Sequence, residues 1–169
     1  MSQQLEVWMR GPIAGVPTLL QPIAHALLQA QEEIHANLKD FPASKLWDTP
    51  FDCASVAFHL QHIKGVLDRL FTYAESKSLS EAQLAALAAE GKKQPDITIH
   101  SLLAALDAQI TISIAKLQAT EEYALGVPRG IGRKQIPTTL GGLLFHAAEH
   151  TMRHTGQLLV TTKILKHGS

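Results

Sequence analysis

The stretch from Thr138 to Lys166 limits the fold most, because it reads as one long helix carrying both apolar residues and histidines. His146, His150 and His154 stand in it at i, i+4 and i+8. At ~100° and ~1.5 Å per residue they share one helix face, about one turn apart. Leu140, Leu143, Leu144, Ala147, Leu158 and Val160 occur around them, so this face is expected near the core. Each imidazole brings a ring nitrogen that must be satisfied, and each resists protonation if kept dry. A divalent cation shared by two rings meets both needs, because histidine binds metal as the neutral imidazole. A lone histidine on such a face is ordinarily a hydrogen-bonded core residue. The pair His150-x-x-x-His154 carries the metal reading further, since i,i+4 is the helical spacing at which two rings reach one ion. Position 151 is Thr, so the pair is not the H-E-x-x-H of a metalloprotease and its general base is missing.

The same periodicity recurs upstream. From Thr18 the residues Leu19, Leu20, Ile23, Leu27, Leu28, Ile34 and Leu38 predict a helix to about Lys39. Pro22 falls near its first turn, where proline is tolerated. His25 and His35 on it read as structural or surface residues. Residues 40 to 52, with Pro42, Trp47, Asp48, Pro50 and Asp52, read as a loop. A second helix starts near Asp52 or Ser55 and ends near Ser76, with Val56, Leu60, Ile63, Val66, Leu67, Leu70 and Phe71 as its apolar stripe. His59 and His62 lie on it, about 60° apart around the axis. Ser80-Glu-Ala-Gln83 is a capping box that opens a short alanine-rich helix, Glu81 to Glu90, stopped by Gly91. Thr98 starts another helix that ends near Thr120. Residues 121 to 137 hold Gly126, Pro128, Gly130, Gly132 and Pro137 and read as a long loop, made locally basic by Arg129, Arg133 and Lys134. No alternating segment is long enough to predict a strand. Residues 1–17, with Gly11, Pro12, Gly15 and Pro17, form an arm that cannot hold a stable helix. The domain is expected over residues 18–166, as an all-α four-helix bundle with one additional short helix and a long loop before the last helix. Bundles build metal sites from side chains on facing helices.

Size and charge bound the rest. A chain of 169 residues, 46% hydrophobic, fits one domain with a sizeable core. Fifteen basic and fifteen acidic side chains balance, whereas a general nucleic-acid binder carries a basic excess. The single cysteine, Cys53, excludes an intrachain disulfide. No signal peptide is visible, and no apolar run reaches the ~18 residues that span a bilayer. A cytoplasmic protein that binds neither nucleic acid nor membrane is the expectation.

Two stretches together resemble the DinB-like superfamily of small four-helix metal-binding proteins. One is Ser55-Val-Ala-Phe-His59-Leu-Gln-His62-Ile63, and the other is His150-x-x-x-His154-Thr-Gly-Gln157. Length and helix order agree over nearly the whole domain. The resemblance implies one divalent metal, zinc or nickel, held by one histidine of the second helix and two of the last. The family histidine precedes a branched aliphatic residue seven positions after a helix-starting Ser, so the implied triad is His62, His150 and His154. Some members act as thiol-dependent transferases, which implies a metal-dependent enzyme using a low-molecular-weight thiol; a hydrolase is less favoured, since no acid–base residue stands out. The alternative is a non-catalytic, metal-stabilised bundle serving as a stress-response or interaction module. Members often pair, and the first helix with its Trp8 arm carries more apolar surface than a small monomer needs, so a homodimer is expected.

The chain departs from the minimal pattern by carrying His59 and His146 as well. By the apolar stripe alone, His59 lies nearer the middle of its helix face than His62, so the two compete for the ligand role. His146 reads as a fourth ligand, a substrate contact or, preferably, a residue supporting the ligands from behind, since catalytic zinc sites commonly keep three protein ligands and an open position. Gln157 reads as a donor to a ligand or bound oxyanion, or equally as a cap or core amide. Cys53 is expected to be a small buried hydrophobe, Gly156 to permit close approach of a neighbouring helix, and Glu149 with Arg153 to pair on the surface.

Overall fold

The structure, a computed structural model, describes residues 5–168. Five α-helices are present among them: α1 (Gln21–Leu38), α2 (Val56–Ala74), the short α3 (Glu81–Ala89), α4 (Ile99–Gln118) and α5 (Leu140–His167). Their starts follow local chemistry. The Ser55 hydroxyl accepts from the Phe58 amide at 3.1 Å and so caps α2. Ser80 and Gln83 close a reciprocal capping box on α3, and Thr98 with Ser101 does the same on α4. Thr139 caps α5 through the Gly142 amide. The first helix begins as a single 3-10 turn, Thr18–Leu20, and becomes α-helical at Gln21, with Pro22 near its start.

The long helices pack in the cyclic order α1, α5, α2, α4, each touching its two neighbours in that ring. Helix α1 turns Ile23, Leu27, Ala30, Ile34 and Leu38 inward, the i, i+4, i+7 pattern of an amphipathic helix. Leu60, Ile63, Leu67, Leu106, Ile110, Leu117, Leu143 and Leu144 complete a continuous core. Full burial of each such side chain is worth about 1.5–3 kcal/mol. Helix α5 also buries Thr151, Thr155 and Thr162. The hydroxyls of Thr155 and Thr162 donate to backbone carbonyls four residues back, at 2.8 and 2.6 Å, so those polar groups enter the core satisfied. Among the described residues, no helix is long and apolar enough to cross a membrane.

The segment read as a loop before α5 contains a small antiparallel hairpin, β1 (Pro128–Ile131) and β2 (Ile136–Thr139), with Pro128 opposite Thr139 and Ile131 opposite Ile136. Pro137 and Gly130 hide the strand signal, yet proline is admissible on an edge strand, and both strands here are edges. The turn is made by Gly132 at φ +64°, with the Gln135 amide donating to the Gly132 carbonyl at 3.1 Å. The part of the N-terminal arm that is described folds back onto α1. It forms one 3-10 turn (Val7–Arg10), the Val7 amide donates to Gln29, and Arg10 pairs with Glu32 at 2.6 Å. Residues 1–4 of that arm lie outside the described residues.

Candidate metal centre

Helices α2 and α5 run antiparallel along one seam, and the histidines of both meet there. His62 Nε2 lies 2.9 Å from His150 Nε2, and His59 Nδ1 lies 3.1 Å from His154 Nδ1. His62, His150 and His154 each offer a ring nitrogen, and the three nitrogens lie within 4.8 Å of one another. The ring centroids of His62 and His150 stand 4.4 and 4.6 Å from that of His154. All three side chains are half-buried, so the cluster is reached from solvent. His59, one turn nearer the N-terminus of α2, is only 2% exposed.

Outer hydrogen bonds orient the cluster. Glu90, just beyond the last residue of α3, accepts the His62 Nδ1 proton at 2.6 Å, which leaves His62 Nε2 as a bare lone pair aimed at His150. The other Glu90 oxygen accepts from Arg69 at 2.7 Å. Burial pushes the Glu90 carboxyl up, but the bonds from His62 and Arg69 outweigh it and hold the group below the usual carboxylate range. Gly65 makes room for this pair: a Cβ there would come within 2.5 Å of both the Arg69 guanidinium and the Glu90 carboxylate. Phe58 stacks on His62 with centroids 5.1 Å apart and planes 12° from parallel. On the other side, the His59–His154 bond engages Nδ1 of His154 and not its Nε2.

His59, His150 and His154 are biased toward the neutral form. Burial, and next the nearby charge of His62, pushes His59 and His154 each down to about 4. Burial also lowers His150, with His62 and His146 adding to the effect. Nδ1 of His150 is buried and has no hydrogen-bond partner, so hydrogen bonding by itself does not complete this cluster. The neutral imidazole is the form in which histidine binds metal, at ~2.0–2.1 Å for zinc. The donor set therefore fits a divalent ion.

The remaining sequence candidates sit elsewhere. The His146 side chain is half-exposed, with Nδ1 3.5 Å from Glu149, and reaches the cluster only by ring contact with His150, centroids 5.2 Å apart. Gln157 is exposed and its side chain makes no hydrogen bond among the described residues, so it is neither a cap nor a core amide. Cys53 is exposed rather than buried, because Phe51 and Asp52 before it adopt left-handed backbone, φ +50° and +60°, and deliver it to the surface ahead of α2. Gly156 has nothing within 4 Å of where a Cβ would stand, so no helix approaches it. Glu149 and Arg153 do pair along α5. Sequence reasoning passed over Glu90 and Arg69. A glycine inside the apolar stripe of α2, Gly65, was the available signal that another group approaches that helix closely.

A four-helix bundle with a half-buried histidine cluster on one seam defines the class: a helical protein able to hold a metal ion between two helices. The chain belongs to the DinB superfamily, whose family model matches residues 26–158. It is similar in fold to a conserved protein of Enterococcus faecalis known from its crystal structure, with a TM-score of 0.71 at 18% identity, covering 90% of this chain and 99% of that one. No curated protein matches the chain.

Proposed function

We propose that this is a cytoplasmic metal-dependent enzyme that binds one zinc or nickel ion through His62, His150 and His154 and acts as a thiol-dependent transferase. The observation that carries the reading is the convergence of three ring nitrogens within 4.8 Å on half-buried side chains. When bound, the ion supplies a Lewis acid that lowers the pKa of a coordinated thiol or water, or polarises a carbonyl. The chain's own residues do the positioning. Glu90 fixes the tautomer of His62, His59 holds the His154 ring through Nδ1, and Phe58 braces the His62 ring. Neutral ligands leave the ion's charge uncompensated. With His146 turned to solvent and His59 engaged behind His154, no fourth histidine closes the cluster, which supports an open position for a small thiol over a purely structural metal.

Elemental analysis of protein purified without a polyhistidine tag tests this. One divalent ion per chain is expected, lost in His62→Ala, His150→Ala and His154→Ala and kept in His59→Ala. Loss in His59→Ala with retention in His62→Ala would move the ligand one turn along α2. A wild type that holds no metal and takes up neither zinc nor nickel ends the proposal.

Self-association belongs to the same reading. Leu5, Trp8, Met9 and Leu19 are exposed at 57%, 61%, 44% and 64%, on the arm and the turn that lead into α1. A homodimer is expected, and sedimentation showing only monomer at micromolar concentration removes it.

A further inference from the structure

The basic hairpin has no part in the histidine cluster, yet it builds a cleft. The hairpin faces the link between α2 and α3, and the space between them has a volume of about 780 Å³. Small-molecule sites typically enclose about 300–1,000 Å³. Tyr73, Lys77, Arg129 and Arg133 all line it, and no aspartate or glutamate does. In a chain with no net charge, three cations around one concavity free of carboxylates is a local imbalance.

Donors remain unused there. Arg129 anchors the hairpin, its Nε donating to the carbonyl of Ala74, the last residue of α2, at 2.6 Å and its Nη1 to Pro128. Its Nη2 makes no hydrogen bond among the described residues. Arg133 sits in the hairpin turn and bonds to nothing among them, and neither does the Tyr73 hydroxyl. Lys77 pairs with Glu75, which lies outside the cleft and also receives Lys116. Guanidinium groups held at a concave wall recognise oxyanions through paired, charge-assisted hydrogen bonds.

We propose that the cleft between the hairpin and the α2–α3 link binds a small molecule bearing a phosphate or carboxylate group, through Arg133, Arg129 and Lys77. The site is separate from the histidine cluster: Tyr73 follows His62 by eleven residues, ~16 Å along the α2 axis. Its concavity suits a small ligand rather than a nucleic-acid strand or a bilayer.

Calorimetric titration of the full chain with inorganic phosphate, and in parallel with succinate, tests the site. Saturable binding of at least one probe is expected at about 1 mM or tighter. Arg133→Ala, which removes a side chain with no internal bond, is expected to weaken that binding about tenfold, equal to ~1.4 kcal/mol. Lys77→Ala should act in the same direction, and His150→Ala should leave it unchanged. Phosphate binding alone marks a phosphorylated ligand, and succinate binding alone a carboxylate; either supports the site. Three results overturn it: no saturable binding of either probe, binding indifferent to Arg133→Ala and Lys77→Ala, or binding abolished by His150→Ala, which would place the anion at the histidine cluster. Metal content measured on the Arg133→Ala protein should equal that of wild type, so failure here and failure of the metal proposal are separable.

Discussion

The two ends of the α2–α5 seam differ in kind. Toward the α2 C-terminus the seam is apolar, where Phe71 and Ala74 share the buried core with Leu140 and Leu144. Toward the α2 N-terminus the same two helices meet through imidazoles, with His59 on His154 and His62 on His150. The apolar end is stabilised by burial that involves no titratable group of these four residues and no bound ion. The imidazole end depends on tautomers, on Glu90 and on what binds, so its contribution is conditional. One helix pair thus joins an apolar end that holds the bundle together to an end that gathers imidazoles.

The largest effect should come from the unconditional end. Phe71, 2% exposed, is expected to cost about 3–5 kcal/mol when changed to Ala, read by urea unfolding. With a chelator present, His150→Ala should cost only about 1 kcal/mol, the net worth of one hydrogen bond. If the histidine change proves the larger of the two without metal, the contrast between the ends is wrong.

Next in size is the metal itself. Zinc or nickel at a hundred times its dissociation constant should raise the unfolding free energy of the wild type by about 2.7 kcal/mol. The same addition should leave His150→Ala and His154→Ala unmoved, and thermal melts with and without chelator measure both.

Glu90→Gln keeps the shape of the side chain while removing the charge that accepts from His62 and Arg69. Metal affinity should fall about tenfold, since groups behind a metal's ligands are commonly worth that much or more. Equal affinity in competition titrations would show that Glu90 only ties α3 to α2.

The most gradual effect is on pH. His59 and His154 are held near 4, against about 6.5 for an open chain. Between those values the unfolded chain binds more protons than the folded one, so stability is level above about pH 6.5 and declines as pH falls toward 4. His59→Ala should flatten that decline in chelated protein, and an unchanged slope would assign it to other groups. Metal should also leave over this window, because protons compete for the same nitrogens.

The local sequence determined the helices and their starts. Apolar spacing near 3.6 residues and the caps at Ser55, Ser80 and Thr98 act within a turn or two, so they are legible without the fold. The pairing of His150 with His154 is likewise a property of one helix. Only the tertiary structure decided which residues of other elements meet that pair. His59 and His62 differ by ~60° about α2, too little for periodicity to choose between them; the position of α5 across the seam brings His62 to His150 and sets His59 behind His154. Glu90 reaches His62 across 28 residues because α3 folds back over Gly65, a contact between elements with no local pattern. The hairpin was hidden for a related reason: its strands contain the very residues, Pro137 and Gly130, that mark a loop, and they are held by pairing with each other and by Arg129 on α2. Local propensity acts over a few residues, whereas a site built between helices depends on how whole elements are rotated and docked.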